Sequence, residues 1–137
     1  MERLVALCTS AHLRSWIEGE VADLVTSRHY APTVADVTAV LAKGGASKAE
    51  LLVLDLDLLS PPYTFELKAG LEERWWSGTI VGLGTARGIH RTYLELDRVL
   101  PRPLGSEALR AYVERSDGCD TQPIVTWPTG RSGFRGR

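Results

Sequence analysis

Few residues of this chain have the type and spacing that chemistry requires. Asp55 closes an apolar run, Leu51-Leu52-Val53-Leu54, and a second carboxylate follows at Asp57. Such an aspartate has functional meaning when the run is a strand of a parallel sheet, because ligands of open α/β sheets bind beyond the carboxyl ends of the strands. The plain reading of the same residue is a loop cap. Gly82-Leu83-Gly84-Thr85-Ala86-Arg87-Gly88 also follows an apolar run and has the glycine content of a loop whose backbone N–H groups face phosphate. No acidic residue that would grip a ribose ends the next run, where Arg98 to Arg102 stand, so a tight turn is the preferred reading. His12, His29 and His90 are scattered without metal-ligand spacing and are expected in loops or at the surface. Cys8 and Cys119 show no paired spacing with histidines, which argues against zinc. Cys8 lies in a strand-like run and reads as a buried, inert thiol. No nucleophile elbow and no Cys-His constellation stand in a recognisable context.

The elements that position these groups alternate. Leu4 to Leu7 is a short, continuously apolar run of the kind buried on both faces of a parallel sheet. Ser10 can cap a helix carrying Leu13, Trp16, Ile17, Val21 and Leu24 at helical spacing, with Arg14, Glu18 and Glu20 on the other side. A weak strand is placed near Leu24 to Ser27, running towards Tyr30. Thr33 caps a second helix with Val34, Val37, Val40 and Leu41, stopped by Gly44-Gly45. The third strand ends at Asp55. Pro61-Pro62 breaks the path, and Phe65 to Trp76 reads as a third helix with Glu66, Lys68, Glu72, Glu73 and Arg74 wet. Thr79 to Leu83 is a fourth strand, Gly88 to Leu96 holds a short helix, and Arg98 to Leu100 is a fifth strand. Ser106 is expected to cap a last helix with Leu109, Tyr112 and Val113 inward.

Strands alternating with helices of this length imply βαβ units, hence a doubly wound α/β domain with helices on both faces of a parallel sheet. One domain over residues 1–115 is expected. Residues 116–137, rich in Gly, Pro and Thr, read as a flexible tail or linker in which Trp127 is the one large apolar group weighed for docking. A net charge of −1 argues against a nucleic-acid partner, which a basic excess would mark. No run is long enough to span a bilayer. The start, Met1-Glu2-Arg3-Leu4-Val5, lacks the long apolar run of a signal peptide, and two free thiols suit a reducing cytoplasm.

The order and spacing of these elements resemble a bacterial response-regulator receiver domain of the CheY-like type, over roughly residues 1–115. Glu50-Leu51-Leu52-Val53-Leu54-Asp55 is similar to the third strand of that family, which ends in the phosphoacceptor aspartate. Leu83-Gly84-Thr85-Ala86 is similar to the end of its fourth strand, where Thr or Ser precedes a small residue. Leu100-Pro101-Arg102-Pro103-Leu104 is similar to its Lys-Pro motif, with Arg in place of Lys. Ser106-Glu107-Ala108-Leu109 matches the start of its last helix. The resemblance implies a five-stranded sheet in the order 2-1-3-4-5, as in flavodoxin-like folds, and a cis Arg102-Pro103 bond. It makes Asp55 the phosphoacceptor equivalent, with Asp57 as the alternative when counted back from Pro61.

The departures decide the function expected. Receivers hold magnesium partly with an acidic pair at the end of the first strand, because phosphoryl transfer needs its charge neutralised. Here those positions are Cys8 and Thr9, and neither Ser10 nor His12 replaces the lost charge. Magnesium binding is therefore expected to be weak or absent, and no cofactor is expected. Arg102 is planar and differently directed from lysine, and suits a permanent ion pair with Asp55. Val99 stands where the family has its aromatic switch residue, which breaks the coupling to Thr85. The expectation is a non-enzymatic pseudo-receiver that binds a protein partner or itself, with Arg110, Tyr112 and Glu114 of the last helix and Trp76 as possible interface residues. The alternatives are an atypical receiver phosphorylated on Asp55 and a nucleotide-binding enzyme built on Gly82 to Gly88.

Overall fold

The computed structural model describes residues 3–43, 50–74, 76 and 78–119. Strands β1 (Arg3–Leu7), β2 (Ser27–Ala31), β3 (Glu50–Asp55), β4 (Thr79–Leu83) and β5 (Arg98–Leu100) form one parallel sheet in the order β2-β1-β3-β4-β5. Between and after them lie α1 (Ala11–Val21), α2 (Val34–Lys43), α3 (Pro61–Glu73), α4 (Gly88–Tyr93) and α5 (Ala108–Cys119). The order is the flavodoxin-like arrangement that the resemblance implied. No helix among the described residues is long and apolar enough to cross a membrane.

The apolar runs serve two cores at once. Leu4, Ala6, Leu51 and Val53 pack with Leu13 and Ile17 of α1 and with Leu109 and Val113 of α5. Their neighbours Val5, Leu7, Leu52 and Leu54 face the other way, onto Val37 and Leu41 of α2 and Leu67 and Leu71 of α3. Side chains alternate between sheet faces, so a run apolar at every position is what a sheet covered on both sides demands.

Three elements have boundaries that differ from expectation. Leu24 and Val25 do not open β2; they close the turn after α1, where Val25 N–H bonds to Val21 O at 3.1 Å and the side chain is buried. β2 itself is a sheet edge, which tolerates its polar Ser27, Arg28 and His29. α3 begins at Pro61 and not at Phe65, because proline suits the first turn, where its missing N–H leaves no helical bond unmade. It ends at Glu73, so Trp76 lies beyond it. The last helix is not capped by Ser106. It starts at Ala108, after Glu107 in the left-handed region at φ 66°.

The cap comes from α1. Glu20, expected on the wet face, is buried, and its carboxylate accepts N–H bonds from Glu107 (2.9 Å), Leu109 (3.0 Å) and Arg110 (3.3 Å). An anion at a helix amino end satisfies donors that lack intrahelical partners and opposes the helix dipole favourably. The α5 backbone stays helical to Cys119, past Ser116 where the apolar periodicity stops. Residues 120–137, most of the segment read as a tail, lie outside the described residues, as do the Gly44-Gly45 stop, Trp75 and the Cys119 side chain.

Candidate functional site at the carboxyl edge of the sheet

The parallel sheet brings the ends of β1, β3, β4 and β5 to one edge, and the residues singled out from the sequence gather there. Asp55 is the last residue of β3 and is buried. Its Oδ1 accepts the N–H of Asp57 at 3.2 Å, closing the short 3-10 turn Leu56–Leu58. The same oxygen accepts a bond from Arg102 Nη2 at 3.1 Å. Arg102 Nε lies 3.4 Å from Asp57 Oδ2, so one guanidinium spans both aspartates that the sequence left as alternatives. The Asp55 side chain is 9% exposed, against 43% for Arg102 and 60% for Asp57, so the pair closes a buried carboxylate with a cation open to water.

Local backbone places the arginine. β5 ends at Leu100, and the Arg102-Pro103 bond is cis. Opposite, Gly84 N–H bonds to Leu100 O at 2.9 Å and Gly84 takes φ 107°, a conformation that side-chain-bearing residues rarely adopt. A Cβ there would stand 3.6 Å from Arg102 Nε and 3.8 Å from Asp57 Oδ1, so the bare glycine lies directly beside the ion pair. Thr85 follows it, exposed on the same edge. Val99 pairs with Gly82 across β4 and β5 and packs into the α2–α3 core.

The glycines of the 82–88 segment do not form one phosphate loop. Gly82 sits within β4, where a Cβ would come within 2.9 Å of the buried Leu56 side chain. Gly84 makes the turn, and Gly88 opens α4.

The end of β1 is chemically unlike an acidic pair. Cys8 is buried, and burial pushes its thiol pKa upward, aided by the Asp55 charge and opposed by Arg14. Thr9 is exposed, and Ser10 is spent on the cap of α1, accepting Leu13 N–H at 3.2 Å. Magnesium takes near-octahedral oxygen ligands. This edge offers a protonated thiol and two carboxylates already bridged by a guanidinium, a donor set that does not fit the ion. Among the described residues, no group of three or more His, Cys, Asp or Glu is placed to hold a metal.

The other residues named from the sequence lie elsewhere. Arg110 grips Asp23 through two bonds of 2.7 and 2.8 Å, and its Nε is 3.6 Å from the exposed Glu114. Tyr112 is half-buried against the α1–α5 core. Trp76 folds over the opposite edge of the sheet and donates its indole N–H to Glu50 Oε1 at 2.7 Å. His90, expected in a loop or at the surface, is fully buried. Its Nδ1 accepts Arg87 N–H at 3.1 Å and its Nε2–H meets Leu59 O at 2.7 Å, so the neutral ring ties α4 to the segment before α3. Its position as the third residue of a short helix was the only hint of that role.

Neither protein-family models, nor curated proteins, nor solved structures yield a match to this chain.

Proposed function

We propose that this chain is a pseudo-receiver: a signalling domain that works by contact with a protein partner or a second copy of itself, in a cytoplasmic setting, and does not transfer phosphoryl groups. One observation carries the reading. The Arg102 guanidinium spans Asp55 and Asp57, supplying in a fixed form the positive charge that a cation would otherwise bring to the phosphoacceptor position. The buried, protonated thiol of Cys8 supports it, because nothing at that end of β1 recruits a divalent ion. A carboxylate bonded to guanidinium is also a poor nucleophile, since its oxygen lone pair is engaged. The domain is thereby held in one state, and its output is a constant surface, including α5 with Glu114 exposed beside Arg110 and Tyr112.

The rival reading is an atypical receiver phosphorylated on Asp55. Titration of the full chain with magnesium and beryllofluoride, a phosphoryl mimic, read by backbone amide NMR, separates the two. The pseudo-receiver reading expects no saturable shifts at millimolar magnesium. Saturable shifts centred on Asp55, Thr85 and Arg102 overturn it in favour of a phosphorylation switch.

A further inference from the structure

A second concave surface lies at the opposite edge of the sheet, where the strands begin. It is a groove of about 730 Å³ between the last turn of α3 and the end of α4. Leu71, Trp76, Ile80 and Leu94 form its apolar floor. Tyr93 stands on its rim, 38% exposed, and the ring of Phe65, 46% exposed, meets it edge-on with centroids 4.8 Å apart. Two of the three most exposed large apolar side chains among the described residues thus adjoin one groove. Clustered exposed aromatics beside a groove mark an interaction site more strongly than scattered ones do.

The charges select an occupant. Lys68 is neutralised by Glu72 at 2.7 Å. Glu95 and Asp97 also line the groove; Asp97 Oδ2 accepts the Ile80 N–H at 2.8 Å, and neither carboxylate has an ion pair among the described residues. The groove therefore suits a cationic segment that also carries apolar groups. Residues 120–137 have that composition: Arg131, Arg135 and Arg137 against the single acid Asp120, together with Ile124, Val125, Trp127 and Phe134.

Tethering makes the encounter feasible. Glu20 and Asp23, at the end of α1 just before β2 begins, pin the first turn of α5 to the amino end of the sheet. From Arg110 to Cys119 is about 14 Å of helix. Trp127 follows eight positions later, a reach of up to about 26 Å. α5 packs on the α1 face of the sheet and the groove opens on the α2–α3 face, so the segment has to pass around the β5 edge to reach it. A short tether gives an effective concentration on the order of millimolar, enough for a weak contact to be populated.

We propose that the groove between α3 and α4 is a docking site for the chain's own C-terminal segment, with Trp127 over the Tyr93–Phe65 rim and the arginines beside Glu95 and Asp97. Fluorine-labelled tryptophan NMR of the full chain tests it, with the Trp127 resonance assigned by Trp127→Phe. Docking predicts a Trp127 resonance displaced from its position in urea, unchanged on dilution. It also predicts loss of most of that displacement in Tyr93→Ala and a partial loss in Glu95→Lys, while the Trp16 resonance stays in place to show that both variants fold. A Trp127 resonance at the urea position, or one displaced but indifferent to both groove variants, overturns the proposal. A displacement that fades on dilution also overturns it, and assigns the groove to a tail from a second copy.

Discussion

β3 carries an acid at each end, and the two have opposite fates. Glu50 at its start pairs with Arg3 of β1 inside the fold, with side-chain exposures of 3% and 12%. The indole of Trp76 and the Arg3 bond to Val40 O at 3.2 Å complete the enclosure. Asp55 at its end pairs with an arginine that is 43% exposed. Removing one partner of an enclosed pair strands a charge without water, whereas removing an exposed partner lets water replace it. The amino edge, where Glu20 also caps α5, is therefore the part that holds the fold together. The carboxyl edge is the part that can change without unfolding it.

Substitutions read by denaturant unfolding break or sharpen that contrast. Arg3→Ala should have the largest effect, a loss of about 3–5 kcal/mol, because Glu50 is left buried and unpaired. A loss below about 1 kcal/mol would mean that water reaches Glu50 and that the two edges are alike. Glu20→Ala should cost about 2–3 kcal/mol by leaving the first amides of α5 without an acceptor, and Glu20→Gln about half of that. Equal losses in both variants would assign the effect to charge alone. Arg102→Ala should cost no more than about 1 kcal/mol, since Arg102 is open to solvent. A loss matching that of Arg3→Ala would make the carboxyl-edge pair a structural one.

The pH dependence should be the smallest of these effects and should come from four groups outside the two ion pairs of β3: Glu18, Asp23, Cys8 and Tyr30. The Tyr30 hydroxyl and then Arg28 hold Glu18 below the usual carboxylate range, and Arg110 does the same for Asp23. Carboxyls depressed in the folded state contribute stability that is present above their unfolded values and is lost as pH falls through the folded ones. The thiol of Cys8 and the hydroxyl of Tyr30 are shifted upward, chiefly by burial. Their contribution is present at neutral pH and is lost as pH rises beyond about 9 to 10, the unfolded range. Thermal melting should therefore give a plateau between about pH 5 and 8 with shallow losses on both sides. A steep loss within that plateau would require a titrating group other than these four.

What could be read from the sequence follows the same division. Continuous apolar runs such as Leu51 to Leu54 declare a doubly covered parallel strand, so the parallel sheet was legible in the residues, whereas its order and the meeting of Asp55 and Arg102 came only from the resemblance in element order and spacing. β2 was blurred because an edge strand needs little apolar content, and Leu24 and Val25 supplied a false start beside it. Pro61-Pro62 can break a chain or begin a helix, and only packing decides which. The roles of Glu20, Glu50 and His90 were hidden, since a buried polar residue is defined by partners far along the chain: Glu20 meets amides nearly ninety positions away. Arg3 and Glu50 become neighbours only through the β1–β3 register.

The central claim, that Asp55 is a closed ion-pair partner and not a phosphoacceptor, is tested most directly by intact mass measurement. The full chain would be incubated with magnesium and a small acyl phosphate, beside an Asp55→Asn control. The account predicts an unmodified mass for both proteins. A phosphoryl adduct on the native chain that hydroxylamine removes, and that is absent from Asp55→Asn, would contradict it and make Arg102 a displaceable guard of a working receiver.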